Sequence, residues 1–80
     1  MADVTIIRTD TETKARYVAT IEGVEGEGEL TLSKVSDTLI IADHTGVPDT
    51  IRGMGVAGAL AERLFADARS VSQRIVPLCP

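Results

Sequence analysis

Through the first half of the chain, apolar and polar residues alternate with the period of two that a half-buried strand requires. Residues 15–21, ARYVATI, send Tyr17, Ala19 and Ile21 to one side and Arg16, Val18 and Thr20 to the other. A shorter β-branched run, VTIIR at residues 4–8, precedes them and is closed by the polar turn DTET. Gly23 opens a turn rich in glycine and glutamate. After it, residues 27–35, EGELTLSKV, form a third predicted strand, with Leu30 and Leu32 on one face and Val35 at its end. Ser36-Asp37 marks a tight turn. Residues 38–47 then make a fourth strand, longer and less polar, which places it at the centre of a sheet. Short links between these runs favour an antiparallel meander.

Pro48 and Asp49 stop the fourth strand, and the period changes. Val56, Leu60, Leu64, Ala68 and Val71 recur at helical spacing over residues 55–70, with Ala57, Ala61 and Phe65 beside them. Glu62, Arg63, Asp67 and Arg69 fall on the wet side. A polar linker at residues 70–73 leads to a last strand, Arg74-Ile75-Val76, closed by Pro77. The predicted order is β-β-β-β-α-β. This is an α+β fold: a mostly antiparallel sheet with one main helix in a strand–helix–strand crossover, which adds one parallel pair. Eighty residues suffice for one domain, 1–80, near the lower size limit for an unassisted core.

Composition narrows the chemistry. The single cysteine, Cys79, excludes an internal disulfide, and no Cys/His group offers a metal site. The N-terminus lacks a basic stretch followed by an apolar one, and the longest apolar run, residues 39–42, is too short for a membrane span. A cytoplasmic protein is expected. Twelve acidic and eight basic residues give a net charge of −4, and Tyr17 and Phe65 are the only aromatics. A nucleic-acid surface would need a basic patch or stacking rings, so this partner class is excluded.

The chemistry is concentrated at residues 39–60, LIIADHTGVPDTIRGMGVAGAL. A strand, a loop and a glycine-studded turn run into a helix, and backbone N–H groups at such a helix start form a cradle for phosphate. Gly53, Gly55 and Gly58 satisfy G-x-G-x-x-G literally. Even so, Pro48 to Arg52 separate the glycines from the strand, and the next strand does not end in a carboxylate, so a dinucleotide fold is disfavoured. A Walker A loop fails because no Gly-Lys-Ser/Thr comes after the turn.

A parse that starts at Arg52, giving Arg-Gly-Met-Gly-Val-Ala, fits Gln/Arg-x-x-Gly-x-Gly/Ala. Asp43-His44-Thr45, Val47-Pro48 and Val76-Pro77-Leu78-Cys79-Pro80 flank it in order. Together these blocks resemble the GNAT superfamily of N-acetyltransferases, and its small single-domain subfamily, over residues 15–80. The resemblance implies acetyl-CoA as cofactor and an unidentified amine, on a small molecule or a protein, as acceptor. The amine would attack the coenzyme A thioester directly in a ternary complex. Thr45, Val47, Arg52, Gly53, Met54, Gly55, Val56 and Ala57 would contact the cofactor, the backbone of 52–57 wrapping its diphosphate. The strand ending at His44 to Val47 would pair with the pantetheine arm, while the strand ending at Pro77 splays away. Relatives continue with a further helix that this sequence lacks, so a homodimer covering the exposed wall is an expectation. A non-catalytic acyl-CoA-binding or interaction module is the alternative.

Two residues are candidates for the chemistry. His44, the only histidine, serves as general base or acceptor contact, or else is a half-buried residue tied to a backbone carbonyl. Cys79 serves as a transient acyl carrier or pocket wall, or else is a small buried hydrophobe. Tyr17 could protonate a thiolate, although its alternating strand favours partial burial. Glu22, Glu25, Glu27 and Glu29 read as a solvated loop that could attract a cation.

Overall fold

The computed structural model describes residues 3–78. It has five strands and one long helix: β1 (Val4–Asp10), β2 (Lys14–Ile21), β3 (Val24–Ser36), β4 (Leu39–Gly46), α1 (Val56–Ser70) and β5 (Arg74–Pro77). A 3-10 turn at Asp49–Ile51 interrupts the loop before α1. The sheet order is β1-β2-β3-β4-β5; the first three pairings are antiparallel and β4–β5 is parallel. The predicted α+β class and element order therefore hold.

Alternation in β2 sorts the faces as the sequence implies. Ala15, Tyr17, Ala19 and Ile21 are buried, as are Leu30 and Leu32 of β3 and Ile40 of β4. The helix lays Val56, Leu60, Leu64 and Ala68 on this face. Ile51, from the 3-10 turn, completes the core with no exposed surface. Each large apolar side chain buried in full contributes about 1.5–3 kcal/mol before the entropy of ordering the chain is subtracted. Gly28 of β3 lies beneath the helix start: a Cβ there would sit 2.6 Å from Val56 Cγ1. Only a residue without a side chain lets α1 approach this closely.

Several expectations need correction. The glycine–glutamate stretch is no turn beyond Gly23; β3 begins at Val24 and, at 13 residues, is both the longest and the central strand. β4 lies one place towards the edge, because the crossover adds only β5 beyond it. Val71 leaves the apolar seam and is 59% exposed, since α1 ends at Ser70, and Phe65 is also exposed. Asp67, assigned to the wet side, is half-buried and ties the helix to the sheet.

That tie centres on Tyr17, which is fully buried instead of partly so. Its hydroxyl donates to Asp67 Oδ2 at 2.7 Å and accepts from Arg8 Nη1 at 2.7 Å. Arg63 Nε donates to both Asp67 oxygens at 3.2 Å, and the Arg8 guanidinium lies 5.2 Å from the Tyr17 ring centre. Asp10 bridges Arg8 and Lys34. A buried phenol needs a partner, and the one available acceptor is on the helix.

Candidate functional site

β3 and β4 fall out of step at one point. Leu32 pairs with Ala42 but Thr31 pairs with His44, so Asp43 is an extra residue in β4, a β-bulge. The bulge reverses the parity of the residues beyond it. Thr45, opposite Leu30, now lies on the helix-facing side, and His44, opposite Thr31, lies on the other. β5 pairs with β4 only as far as Ala42 and Pro77, with one further bond from the Leu78 N–H to the Ala42 carbonyl (3.0 Å). Beyond this point, Asp43 to Gly46 have no strand partner on that side among the described residues.

From this open edge the chain runs through Val47 and the 3-10 turn to the start of α1. The Arg52 N–H bonds to the Asp49 carbonyl and the Met54 N–H to the Ile51 carbonyl, which holds the loop in successive turns. Gly53 and Gly55 have φ near +81° and +82°, in the left-handed region where a side chain is costly. Gly55 is the N-cap of α1. No side chain caps the helix and no acid lies in its first turn. The first intrahelical bond from this end is the Ala59 N–H to the Gly55 carbonyl, so the preceding N–H groups point outward.

These groups line one groove of about 610 Å³, whose walls are Thr45, Val47, Arg52, Gly53, Gly55, Val56, Ala57 and Gly58. The only ionisable side chain among them is cationic. Arg52 is 73% exposed and paired with Asp49 across 3.1 Å at the surface, a contact weak enough to exchange for a better anion. The positive end of the helix dipole adds to that preference.

Seven of the eight cofactor contacts expected from the sequence are thus brought together. Met54 is the exception: it is 39% exposed and does not line the groove. Gly58, the third glycine of G-x-G-x-x-G and outside the expected set, also lines the groove, because it lies in the first turn of α1. His44 does not line the groove. It is exposed on the opposite face and makes no side-chain hydrogen bond among the described residues, so it is not the half-buried histidine of the alternative reading. Its ring lies over Gly46, where a Cβ would meet Nε2 at 3.1 Å. Glu29, directly opposite Gly46, accepts a hydrogen bond from Arg16 Nη2 at 2.6 Å, which with nearby His44 keeps its carboxyl below the usual range. Cys79 lies outside the described residues.

Residues 16–80 match the family model described as GCN5-related N-acetyl-transferase. The chain belongs to that family. No curated protein matches it. Members of this acetyltransferase family generally use acetyl-CoA.

A second cleft, of about 770 Å³, lies at the other end of α1 between Arg8, Asp10, Lys34, Arg63, Asp67 and Val71, among others. Sequence reasoning did not find it, because its walls come from strands and helix distant along the chain. Its charges are already paired with each other. Arg8, by its hydrogen bond to Asp10, holds that carboxyl down to about 2, with Lys34 assisting against the effect of burial. Burial and the bond donated to Asp67 push the Tyr17 hydroxyl up to about 12. In this acetyltransferase-family fold the cleft is a structural clamp. No helix among the described residues is long and apolar enough to cross a membrane.

Proposed function

We propose that this chain is a coenzyme A-dependent N-acetyltransferase of the small single-domain type, acting in the cytoplasm on an amine. One observation carries the reading: an uncapped helix start, two left-handed glycines and an exposed arginine share a groove with the unpaired edge of β4. Bound acetyl-CoA supplies an activated acetyl thioester. The N–H groups from Gly55 to Gly58 and the Arg52 guanidinium bind the diphosphate. The dipole contributes about 0.3–1 kcal/mol for an anion at an exposed helix start. The backbone of Asp43 to Gly46 offers ladder hydrogen bonds to an extended ligand chain, and Thr45 and Val47 flank it.

Transfer forms a C–N bond as the thioester C–S bond breaks: the nitrogen must lose its proton, the carbonyl must be polarised, and coenzyme A leaves as a thiolate that takes a proton from water. Backbone N–H groups at the Asp43 bulge serve the second need. His44, one residue away and on the opposite face, accepts the amine proton in this reading. Holding both reactants at one edge supplies much of the rate by proximity.

An amide-resolved NMR titration with acetyl-CoA tests the groove. Saturable shifts centred on Arg52 to Gly58 and on Thr45 are expected. Gly55→Glu introduces bulk at positive φ and a negative charge, and should abolish those shifts while preserving the sheet signals. Binding by this variant at the parent's affinity would place the site elsewhere. Thiol release with a panel of amines separates transfer from binding alone; binding without release from any of them would favour an acyl-CoA-binding module.

A further inference from the structure

The two edges of the sheet differ in how they are guarded. β5 is four residues long and ends on Pro77, which has no N–H to extend a ladder. β1 has seven residues, VTIIRTD, and pairs with β2 in unbroken register over all of them. It contains no lysine, proline or bulge, three of the devices that stop an edge from pairing, and its two charges, Arg8 and Asp10, are paired with each other. No other strand among the described residues meets its outer side. At its midpoint Ile7 is 63% exposed, on the face away from α1 and opposite Val18 of β2.

We propose that β1 pairs antiparallel with β1 of a second copy, about a two-fold axis at Ile7, joining the two five-stranded sheets into one. An isologous contact must be complementary to itself, and this register is. It places Ile7 against its symmetry mate, Thr5 opposite Thr9 of the partner subunit, Ile6 opposite Arg8 of the partner subunit and Val4 opposite Asp10 of the partner subunit. No like charges stand directly opposite each other, and Arg8, diagonal to its symmetry mate, is neutralised by Asp10 and Asp67. Across the joint, Val18, Ile7 and their two symmetry mates form one apolar stripe on a face that is otherwise polar here. An axis at Arg8 would instead set two guanidinium groups opposite each other, and an axis at Ile6 would leave Thr9 and Asp10 without a strand partner, so the Ile7 register is the one that pairs all seven residues. The edge N–H and C=O groups of both strands, which water satisfies in the single chain, bond to each other.

Sedimentation equilibrium on the full chain is the test. The parent should show a concentration-dependent mass rising towards twice the 8.5 kDa of one chain, more readily at high salt because each copy carries a net charge of −4. Ile7→Lys puts two ammonium groups face to face at an exposed position and should remain monomeric with an unchanged circular dichroism spectrum. The double variant Thr5→Lys/Thr9→Glu places opposite charges across the axis twice and should dimerise about 2- to 30-fold more tightly. A parent that stays monomeric up to about 1 mM, the Kd that corresponds to about 4 kcal/mol of binding, overturns the proposal; an edge that receives a strand of another protein would give that result. An Ile7→Lys variant that associates like the parent also overturns it, as does a double variant with no gain.

Discussion

Gly28→Ala is the sharpest test of how the groove is held in place. The new methyl group would lie 2.6 Å from Val56 Cγ1 and 3.4 Å from Leu60 Cδ1. Ordinary contact begins near the second distance, so the first must open by about 0.8 Å. Val56 is 1% exposed and β-branched, and cannot swing aside as a long side chain would. The start of α1 has to move. Overpacking of this kind costs about 1–3 kcal/mol, with the upper half of that range fitting so short a contact. Replacing glycine also reduces the freedom of the unfolded chain, which returns about 0.4–1 kcal/mol. A net loss of about 1.5–2 kcal/mol is expected, which for a domain of this size lowers Tm by roughly 10 °C. Thermal melts followed by circular dichroism measure it, and acetyl-CoA titration should show weaker binding, because Val56 forms part of the groove wall. Adding Val56→Ala removes the clashing methyl, so the double variant should lose less than the sum of the two single changes. A Gly28→Ala protein that melts at or above the parent's temperature would refute the argument, and strictly additive losses would show that the contact is not the cause.

The clamp at the far end of α1 gives a second set of expectations. Tyr17→Phe leaves Asp67 bonded to Arg8 and Arg63 but removes a hydrogen bond to a charged group, so urea unfolding should show a loss of about 1.5–3 kcal/mol. Because the Tyr17 hydroxyl is held near 12 instead of 10, its contribution to stability is complete below pH 10 and falls as pH rises through that interval; Tyr17→Phe should remove this alkaline loss. Burial alone would raise the Asp67 carboxyl, but hydrogen bonds from Tyr17, Arg8 and Arg63 outweigh it and hold it low. Its stabilisation is therefore present above the ordinary carboxylate range and lost as pH falls through its depressed value, alongside that of Asp10 between 3.8 and about 2. Melts of Asp67→Asn from pH 7 down to 2 should show a lower starting stability and a shallower acid decline. His44→Ala should leave acetyl-CoA shifts at Arg52 to Gly58 unchanged while turnover falls by about 10²–10⁴-fold, the range for loss of a general base. Unchanged turnover in Cys79→Ala would exclude an acyl-cysteine step.

Period and punctuation made most of the architecture legible. Two-residue alternation marked β2, helical spacing from Val56 to Ala68 marked α1, and Pro48 and Pro77 ended strands because proline lacks a ladder donor. Arg52 and its glycines, in order with the blocks around them, pointed to a cofactor site, and the Arg52-Gly53-x-Gly55 turn lines the groove proposed for it. These are local signals, encoded by backbone preferences of residues close in sequence. The expectations that failed depended on distance. Asp67 looked solvated because nothing near it on the helix shows that Tyr17, 50 residues away, brings a buried hydroxyl to meet it. The extension of β3 back to Val24 was hidden because glycine and glutamate favour loops until neighbouring strands pair with them.

The sequence by itself determined the set of elements, their order and the chemistry of the turn before α1, since each arises from propensity and periodicity within a few residues. The tertiary structure alone decided which way the site residues face. Asp43 bulges because β3 holds Leu32 against Ala42 and Thr31 against His44, and that single extra residue sends Thr45 into the groove and His44 to the opposite side. Strand register is a contact between segments, and one residue of slip reverses every side chain beyond it.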